Sequence, residues 1–225
     1  MYILTENQQL CKKIKGKRIM KQEPNGISLN FLSDFYDCLT FAERSKFRKN
    51  QLGLMNIRKG EKVLEVGCGT GALSILAKMA VGESGEVDGI DIAPKMITIA
   101  QQKARKSNLK INFRIASVNK LSYPDHSFDL VISSLMFHHL PVKVKKEGLE
   151  EIHRVLRKGG RLFLCDFGSP HILTFPLMYL ILIWISPTRY QLFGRLPKLI
   201  NECKFNHVEL RKKGLFLEYY LITKN

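Results

Sequence analysis

Three glycines at alternating positions follow a short apolar run in the segment VLEVGCGTG, Val63 to Gly71. Gly67, Gly69 and Gly71 can adopt positive φ angles and lack a Cβ atom, so a ligand can approach their main chain closely. Their GxGxG spacing differs from the GxGxxG of nicotinamide- and flavin-binding turns. By itself the pattern fits either a ligand-binding loop or an ordinary tight turn. Glu65 favours a ligand loop, because a carboxylate beside the turn attracts a cationic group and repels a phosphate.

A second acidic residue, Asp91, ends the apolar segment EVDGID, 20 residues after Gly71. From the end of a strand, a carboxylate can hydrogen-bond both hydroxyls of a ribose. The same residue type also caps helices, and a helix is predicted to begin at Pro94. Because Asp91 occurs together with the glycine turn, we interpret it as a ribose ligand.

Strand-like and helix-like segments alternate along the chain, which positions these residues at strand ends. The predicted strands are 62–66, 86–91, 111–117, 128–134, 160–167, 207–213 and 215–223. The predicted helices are one or two within 28–56, then 72–80, 94–107, 145–156 and 195–203. This alternation predicts an α/β fold with a Rossmann-like, doubly wound, seven-stranded sheet, mostly parallel with the final strand antiparallel, and helices on both faces.

The length of 225 residues with 45% hydrophobic content predicts a single domain. Residues 1–27 are a basic, weakly ordered lead-in, and residues 28–225 form the domain. Its predicted parts are a helical cap (28–59), a ligand-binding core (60–167), an apolar insertion (168–192), and a C-terminal helix and β-hairpin (193–225).

The chain is strongly basic, with 36 Lys and Arg against 20 Asp and Glu and a formal charge of +16. Such a charge favours anionic partners. The basic clusters KKIKGKR, RKSNLK and RKK are not interleaved with aromatic residues, which argues against a nucleic-acid partner. We interpret these clusters first as solvated helix faces and second as contacts with an anionic membrane surface.

Cysteine usage and apolar runs indicate a cytoplasmic protein. The five cysteines are scattered, without a CxxC motif or a Cys/His cluster, which predicts reduced thiols and no metal site. The N-terminus lacks the features of a secretory signal. The longest apolar run, Ile172 to Ile185, is shorter than the roughly 20 residues that span a bilayer, and Pro176 interrupts it. It is predicted to be a buried or interfacial helix, which leaves membrane association open.

Four segments together resemble the class I S-adenosylmethionine-dependent methyltransferases, of the type 11 and type 25 groups. They are VLEVGCGTG, VDGIDIAPKMI, SFDLVISSLMFHHL and EEIHRVLRKGGRLFLCDF, which occur in the family's order between Gly60 and Phe167. The resemblance implies S-adenosylmethionine as cofactor and methyl transfer as reaction. A nicotinamide-dependent reductase is a further alternative, disfavoured by the glycine spacing and by the lack of a Tyr-x-x-x-Lys pair.

The resemblance also implies roles for individual residues. The turn from Gly67 through Cys68, Gly69 and Thr70 to Gly71 would lie under the methionine part of the cofactor, with Glu65 near its amino group. Asp91 would bind the ribose, Ile92 and Met96 would pack near the adenine, and Ser134 and Leu135 would border the methionine part and the site mouth. Where many members carry an adenine-binding Asp, this chain has Ser117, followed by the N–H of Val118. Tyr36, next to Asp37, can close over the cofactor.

The acceptor of the methyl group is less defined. His138 and His139 follow the fourth strand, where either can act as a base or serve only in packing. The apolar insertion, CDFGSP and FYD are loosely similar to ubiquinone and menaquinone biosynthesis methyltransferases, which implies a small, hydrophobic quinone-, lipid- or phenol-like acceptor. The alternatives are a catalytically silent partner subunit, and a methyltransferase acting on nucleic acid or protein. Methylation at O, N or C remains open.

Overall fold

The computed structural model describes residues 41–168, 194–205, 207–214 and 217–225, with side chains from residue 47 onward. The predicted lead-in, Tyr36 and Asp37, and the insertion from residue 169 onward lie outside these ranges, so the predicted domain division stays a prediction. Residues 43–225 group into one compact unit.

Seven strands and five α-helices alternate in the described ranges. The strands are β1 (Lys62–Val66), β2 (Glu86–Asp91), β3 (Asn112–Ile115), β4 (Phe128–Ser134), β5 (Leu156–Phe167), β6 (His207–Lys213) and β7 (Leu217–Thr223). The helices are α1 (Phe41–Leu54), α2 (Ala72–Val81), α3 (Pro94–Lys106), α4 (Val142–Val155) and α5 (Leu196–Glu202), with a 3-10 turn at Phe137–His139. None of these helices combines the length and the apolar character that crossing a bilayer requires.

The seven strands form one sheet in the order β3-β2-β1-β4-β5-β7-β6. Strands β1 to β5 pair in parallel, and β7 runs antiparallel to both β5 and β6. The chain leaves β1 toward β2 on one side and later returns to β4 on the other. The strand order therefore reverses between β1 and β4, and this switch point is where sheets of this kind bind ligands. The predicted doubly wound fold with an antiparallel final strand is confirmed.

The core lies in layers on both faces of the sheet because successive strand residues point in opposite directions. Val63 of β1 packs in the layer that contains Leu73 and Ala77 of α2. Leu64, the next residue, packs in the layer that contains Ile152 of α4 and Ile200 of α5. The central strands β1 and β4 are thus buried on both sides, as expected for parallel strands, whereas the outer strands β3 and β6 are mostly exposed.

Three element boundaries differ from the sequence prediction. The third strand is limited to Asn112–Ile115, because only those residues pair with β2. Helix α4 begins at Val142, directly after Pro141, whose φ of −57° suits the residue before a helix. Strand β5 already begins at Leu156, which pairs with Phe128 before a register shift and before Gly159 turns with a φ of 71°.

Candidate active site

The glycine turn is pinned to the neighbouring strand by its own backbone. The N–H groups of Gly67 and Cys68 both donate to the carbonyl of Ile90, at 2.8 and 2.9 Å, and Gly71 N–H donates to Cys68 O at 2.9 Å. Gly67, Gly69 and Gly71 have φ angles of 73°, 51° and 74°, in the left-handed region that favours glycine. The turn lies at the carboxyl end of β1, beside the switch point of the sheet.

The three glycines serve different purposes. A Cβ atom on Gly67 would lie 2.4 Å from Met136 Cγ, and one on Gly71 would lie 2.8 Å from Ala100 Cβ. A Cβ on Gly69 would meet no protein atom within 4 Å. Gly67 and Gly71 are therefore required by packing within the chain, whereas Gly69 faces open space that a ligand can fill.

The other two residues of the turn contribute less directly. The Cys68 side chain is buried in a small cluster with Ile97 and Phe113, so it can offer a ligand only its main chain. The hydroxyl of Thr70 accepts a hydrogen bond of 2.8 Å from Lys103 Nζ, which ties the turn to α3. Met96 is half-buried in the first turn of that helix.

Glu65 lies within the sheet next to the turn and is 3% exposed. Its carboxyl accepts a hydrogen bond from the hydroxyl of Ser74, itself fully buried on α2. Burial raises the Glu65 pKa to about 8, because the charged form is poorly solvated there. A cationic ligand group next to this carboxyl would favour its ionised form.

Asp91 joins the two loops that bound the crevice. Its Oδ2 accepts from Gly69 N–H at 2.9 Å, and its Oδ1 accepts from Ala93 N–H at 2.9 Å. The residue at the N-cap of α3 is Ala93, which makes no side-chain cap. Asp91 is thus not the N-cap residue of α3, and each carboxylate oxygen keeps a lone pair for a ribose hydroxyl. Ile92 beside it is 71% exposed, which suits a residue that packs on a ligand ring.

Ser117 and Val118 lie at the loop after β3. The Ser117 hydroxyl donates to Asn119 Oδ1 at 2.5 Å, and Asn119 Nδ2 donates to Glu147 Oε2 at 2.9 Å. Because the Ser117 hydrogen is engaged, its oxygen is left as an acceptor, which is what an adenine amino group needs. The Val118 side chain is buried, so its main chain is the part that can serve a ligand.

Ser134 and Leu135 lie at the carboxyl end of β4. Ser134 Oγ accepts a hydrogen bond of 2.9 Å from Nε2 of Gln51, a fully buried residue of α1. Leu135 is a non-glycine residue at a φ of 54°, which is uncommon for a branched side chain, and it is 37% exposed. The loop after β4 therefore leaves the strand sharply and presents an apolar side chain at the crevice.

His138 is held by a buried carboxylate of the neighbouring strand. Its Nδ1 lies 2.8 Å from Asp166 Oδ1, and its backbone N–H donates to Asp166 Oδ2 at 3.1 Å. Asp166 is 1% exposed and also accepts from the N–H of Phe167 at 2.8 Å. Because a carboxylate only accepts, the hydrogen of the neutral ring lies on Nδ1, and Nε2 keeps its lone pair. The Asp166 carboxylate therefore fixes the orientation of the His138 ring.

His139 and Lys145 adjoin this pair. The His139 ring centroid lies 3.8 Å from that of His138, and partial desolvation together with His138 lowers the His139 pKa. Lys145 is fully buried on α4, where its Nζ donates to Leu140 O at 2.5 Å. Burial lowers the Lys145 pKa to about 8, and the Asp166 carboxylate acts in the opposite direction. His139 has no such carboxylate partner among the described contacts, which separates the two histidines predicted as alternatives.

Several residues of this site were missed by sequence reasoning. They are Gln51, Ser74, Asn119, Met136, Lys145 and Asp166. Asp166 alone had a usable signal, since it ends a predicted strand as Asp91 does. The others reach the site from helices and loops whose side-chain directions the sequence pattern does not give. In the described ranges, no group of three or more His, Cys, Asp or Glu residues is arranged to hold a metal ion.

Comparison with known proteins agrees with this geometry. Residues 63–160 match the family described as "Methyltransferase domain". The chain is 30% identical over 197 residues to a demethylmenaquinone methyltransferase of Staphylococcus epidermidis, which covers 83% of this chain and 80% of that protein. The chain belongs to the class I S-adenosylmethionine-dependent methyltransferases. It is therefore a methyl-transferring enzyme with S-adenosylmethionine as cofactor.

Two further comparisons define the extent of the likeness. The demethylmenaquinone methyltransferase of Bacillus licheniformis is 31% identical over 158 residues, which covers 70% of this chain and 67% of that protein. The chain thus spans about two thirds of that relative's length. The crystal structure of a methyltransferase from Aquifex aeolicus matches with a TM-score of 0.62 and 23% identity, covering 78% of this chain and 88% of that one. The latter supports the methyltransferase fold.

The residues at the crevice fit S-adenosylmethionine. The open space at Gly69 accommodates a ligand against the main chain, and Asp91 keeps lone pairs for ribose hydroxyls. Gly71 is the N-cap residue of helix α2 and provides no side-chain cap. An uncapped helix N-terminus binds anions such as a methionine carboxylate. The assignment of individual cofactor contacts remains the prediction made from the sequence.

Proposed function

We propose that this methyltransferase acts on a small hydrophobic acceptor with an acidic hydroxyl, of the quinol or phenol class, and that His138 removes the hydroxyl proton. The observation that carries the proposal is the hydrogen bond of 2.8 Å between His138 Nδ1 and the buried Asp166. Two relatives at 30% and 31% identity are named demethylmenaquinone methyltransferases, which supports a quinol-type acceptor. The apolar insertion predicted at 168–192 would supply further apolar surface.

The crevice between β1 and β2 would hold the cofactor. Asp91 would bind the ribose, Ser117 and Ile92 would contact the adenine, and Glu65 would face the amino group of the methionine part. S-adenosylmethionine, when bound, supplies a methyl group on a positively charged sulfur and leaves as S-adenosylhomocysteine. Positioning the acceptor in line with that group accounts for much of the rate acceleration in reactions of this kind.

His138 would act on the acceptor rather than on the cofactor. Its Nε2 takes the hydroxyl proton of the acceptor, and the electron pair left behind makes the oxygen, or the ring carbon next to it, nucleophilic. If the carbon takes the methyl group, the ring hydrogen leaves afterwards as a proton and restores the aromatic ring, and the oxygen takes back the proton held by His138. In both cases the methyl group replaces one hydrogen, and one proton is released overall. Asp166 keeps the ring oriented and stabilises the imidazolium that forms.

Binding of the cofactor is tested first, by calorimetry with S-adenosylmethionine and S-adenosylhomocysteine. Asp91→Ala should weaken binding by about 1–3 kcal/mol, because ribose hydroxyls and two loop N–H groups lose their acceptor. Glu86→Ala serves as the control, since Glu86 lies at the amino end of the same strand, whereas Asp91 lies at its carboxyl end. Equal affinity of wild type and Asp91→Ala would contradict the assignment of Asp91.

The acceptor is tested with the full chain, labelled S-adenosylmethionine, and a set of reduced naphthoquinones and phenols with short apolar side chains. His138→Asn should lower kcat by about 10²–10⁴-fold, the usual contribution of a general base. His139→Asn is the matched control and should stay within a few fold of wild type. Equal effects of the two substitutions would contradict a specific base at His138. Absence of transfer to every hydroxyl-bearing acceptor would reject the acceptor class.

A further inference from the structure

We propose that the surface made by the β2–α3 loop, helix α3, strand β3 and the following loop, residues 92–124, docks onto an anionic lipid bilayer. Within the described structure we call this stretch the α3–β3 surface. Docking would bring the enzyme to the bilayer, from which a hydrophobic acceptor could enter. The biological purpose of docking therefore rests on the proposed function, but vesicle binding can be tested independently of it.

The α3–β3 surface carries charge of one sign. Between Asp91 and Asp125 the sequence contains no Asp or Glu. The same stretch contains seven basic residues, all of which are exposed: Lys95, Lys103, Arg105, Lys106, Lys110, Arg114 and Lys120. Because basic side chains near an acidic lipid surface each add to attraction, such a cluster is typical of a peripheral membrane contact.

Three acidic residues border the α3–β3 surface, and each already makes hydrogen bonds or an ion pair. Asp91 accepts from the glycine loop, as described above. Asp88 accepts from Asn112 Nδ2 at 2.8 Å and is 9% exposed. Asp125 pairs with Arg154 at 2.7 Å, and the pairing lowers the Asp125 pKa. Of the three, only Asp125 has its charge offset by a cation among the described contacts, and Asp88 and Asp91 together are outnumbered by the seven basic residues of the α3–β3 surface.

The outer strand on the other side of the sheet, β6, has a different distribution of charge. On β6, Arg211 pairs with Glu209 at 3.1 Å. Lys213 pairs with Glu218 of β7 at 3.4 Å. Two of the three basic residues of β6 thus have an acidic partner, so the net attraction for an anionic plane is smaller than at the α3–β3 surface.

An apolar side chain accompanies the charge. Ile115 is 59% exposed and lies at the carboxyl end of β3, directly after the exposed Arg114. Exposed aliphatic residues beside basic ones are what a protein uses to enter the headgroup region of a bilayer.

A nucleic acid fits the α3–β3 surface less well. The stretch contains two aromatic residues, Phe113 and Tyr123. Phe113 is 6% exposed, and the Tyr123 ring lies under the Arg114 guanidinium, 5.4 Å from its centroid. Neither ring is presented for stacking on unpaired bases, which single-strand binders require.

The test compares two variants of the full chain that carry the same charge change. The surface variant combines Lys106→Glu, Lys110→Glu and Lys120→Glu. The control variant combines Lys59→Glu, Lys158→Glu and Lys198→Glu, three exposed lysines outside the α3–β3 surface. Binding is measured by co-sedimentation with phosphatidylcholine vesicles, with and without phosphatidylglycerol, and folding by thermal unfolding.

Wild type and control variant should bind the phosphatidylglycerol vesicles, and the surface variant should bind about tenfold more weakly or worse, because three attractive contacts become repulsive. Equal loss in both variants would overturn the proposal, since total charge would then be the cause. Equal binding of wild type to both kinds of vesicle would overturn it as well. The proposal would also be overturned if wild type did not bind vesicles but bound a single-stranded RNA oligonucleotide, and the surface variant lost that RNA binding.

Methylation of a water-soluble acceptor separates this proposal from the proposed function. If the surface variant methylates a dissolved quinol at the wild-type rate and loses only vesicle binding, both proposals stand. If wild type methylates the quinol but ignores vesicles, docking fails alone. If vesicle binding is specific to the α3–β3 surface but no hydroxyl-bearing acceptor is turned over, the acceptor class fails alone.

Discussion

The carboxyl edge of the sheet contains two regions that are built in different ways. The region proposed to bind the cofactor, called here the cofactor region, lies at the carboxyl ends of β1 and β2. It consists of a glycine turn, one strand-end carboxylate and backbone hydrogen bonds such as Gly67 N–H to Ile90 O. The region proposed to bind the methyl acceptor, called here the acceptor region, lies after β4 and β5 and consists of side chains from separate parts of the chain. Asp166 reaches His138 across 28 residues of sequence, and Gln51 reaches Ser134 across 83.

This difference has a physical origin. A ligand held by main-chain groups needs positions without Cβ atoms, and glycine spacing records that need in the sequence. A general base is a side chain whose orientation is fixed by a partner residue, and that partner can come from any element that packs nearby. Substitutions should therefore affect cofactor binding in the first region and turnover in the second.

The largest effect is expected from Asp166→Asn. Loss of the carboxylate removes the group that orients His138 and stabilises its protonated form, so kcat should fall by about 10²–10⁴-fold. The dissociation constant of S-adenosylmethionine should stay unchanged. Because a merely structural loss would also affect cofactor binding and thermal stability, both are measured beside kcat and its pH profile, and Asp166→Glu should restore part of the rate. A parallel fall in cofactor affinity would erase the distinction between the regions.

The next effect compares two glycines of the same turn. Gly67→Ala should destabilise the protein and abolish cofactor binding, since the new Cβ would lie 2.4 Å from Met136 Cγ at a φ of 73°. Gly69→Ala meets no protein atom within 4 Å, so it should cost only about 1–2 kcal/mol of backbone strain. It should nevertheless weaken S-adenosylmethionine binding, because its Cβ enters the ligand space. Thermal unfolding and calorimetry separate the two outcomes; unimpaired binding by Gly69→Ala would show that the ligand does not approach there.

A smaller effect is expected from the ionisation of Glu65. Burial raises the pKa of its carboxyl to about 8 in the folded chain, from 4.5 as the reference value. Cofactor binding near pH 7 should therefore release up to one proton, as the ligand ammonium favours the ionised carboxylate. Calorimetry in two buffers with different ionisation enthalpies measures this release, and Glu65→Gln should abolish it. The same release from both proteins would assign the proton to another group.

The same group affects stability in the ligand-free protein. Since the folded pKa is the higher one, the contribution of Glu65 to stability is fully present below pH 4.5 and is lost as the pH rises to about 8. The free energy of unfolding of wild type should fall across this window relative to that of Glu65→Gln. Chemical denaturation at several pH values tests this; parallel curves for the two proteins would contradict it.

The smallest effect is expected at Ser117. Its hydroxyl already donates to Asn119 Oδ1, so one uncharged oxygen remains to accept from the adenine. Ser117→Asp would provide a charged acceptor, and charge-assisted hydrogen bonds are about twice as strong as neutral ones. The affinity for S-adenosylmethionine should rise by a few fold with kcat unchanged, as measured by calorimetry and initial rates. A fall in affinity would show that the Asn119–Glu147 contacts need the serine.

The sequence allowed most of the cofactor region to be predicted. Strands β1, β2 and β4 have the predicted bounds because each is an apolar run closed by polar or glycine residues. The family and cofactor inferred from VLEVGCGTG and its companion segments are confirmed. The role of Asp91 stays a prediction, although its hydrogen bonds to both loops are compatible with it.

The acceptor region could be predicted only in part. The adjacent His138 and His139 were equivalent candidates in the sequence, because periodicity does not show which ring meets a carboxylate. The predicted helix start at Lys145 missed the preceding turn, and with it the fact that this lysine is buried beside Leu140. The absence of acidic residues from 92 to 124 was visible in the sequence, but the exposure of all seven basic residues in that stretch was not.

The sequence by itself determined the alternation of elements, the glycine turn and the cofactor, because local apolar runs and glycine positions encode them. Only the tertiary structure decided the strand order, the pairing of His138 with Asp166, and the finding that Gly67 packs against Met136 whereas Gly69 faces open space. These depend on contacts between segments far apart in the chain, where packing selects the partner and no local pattern records it.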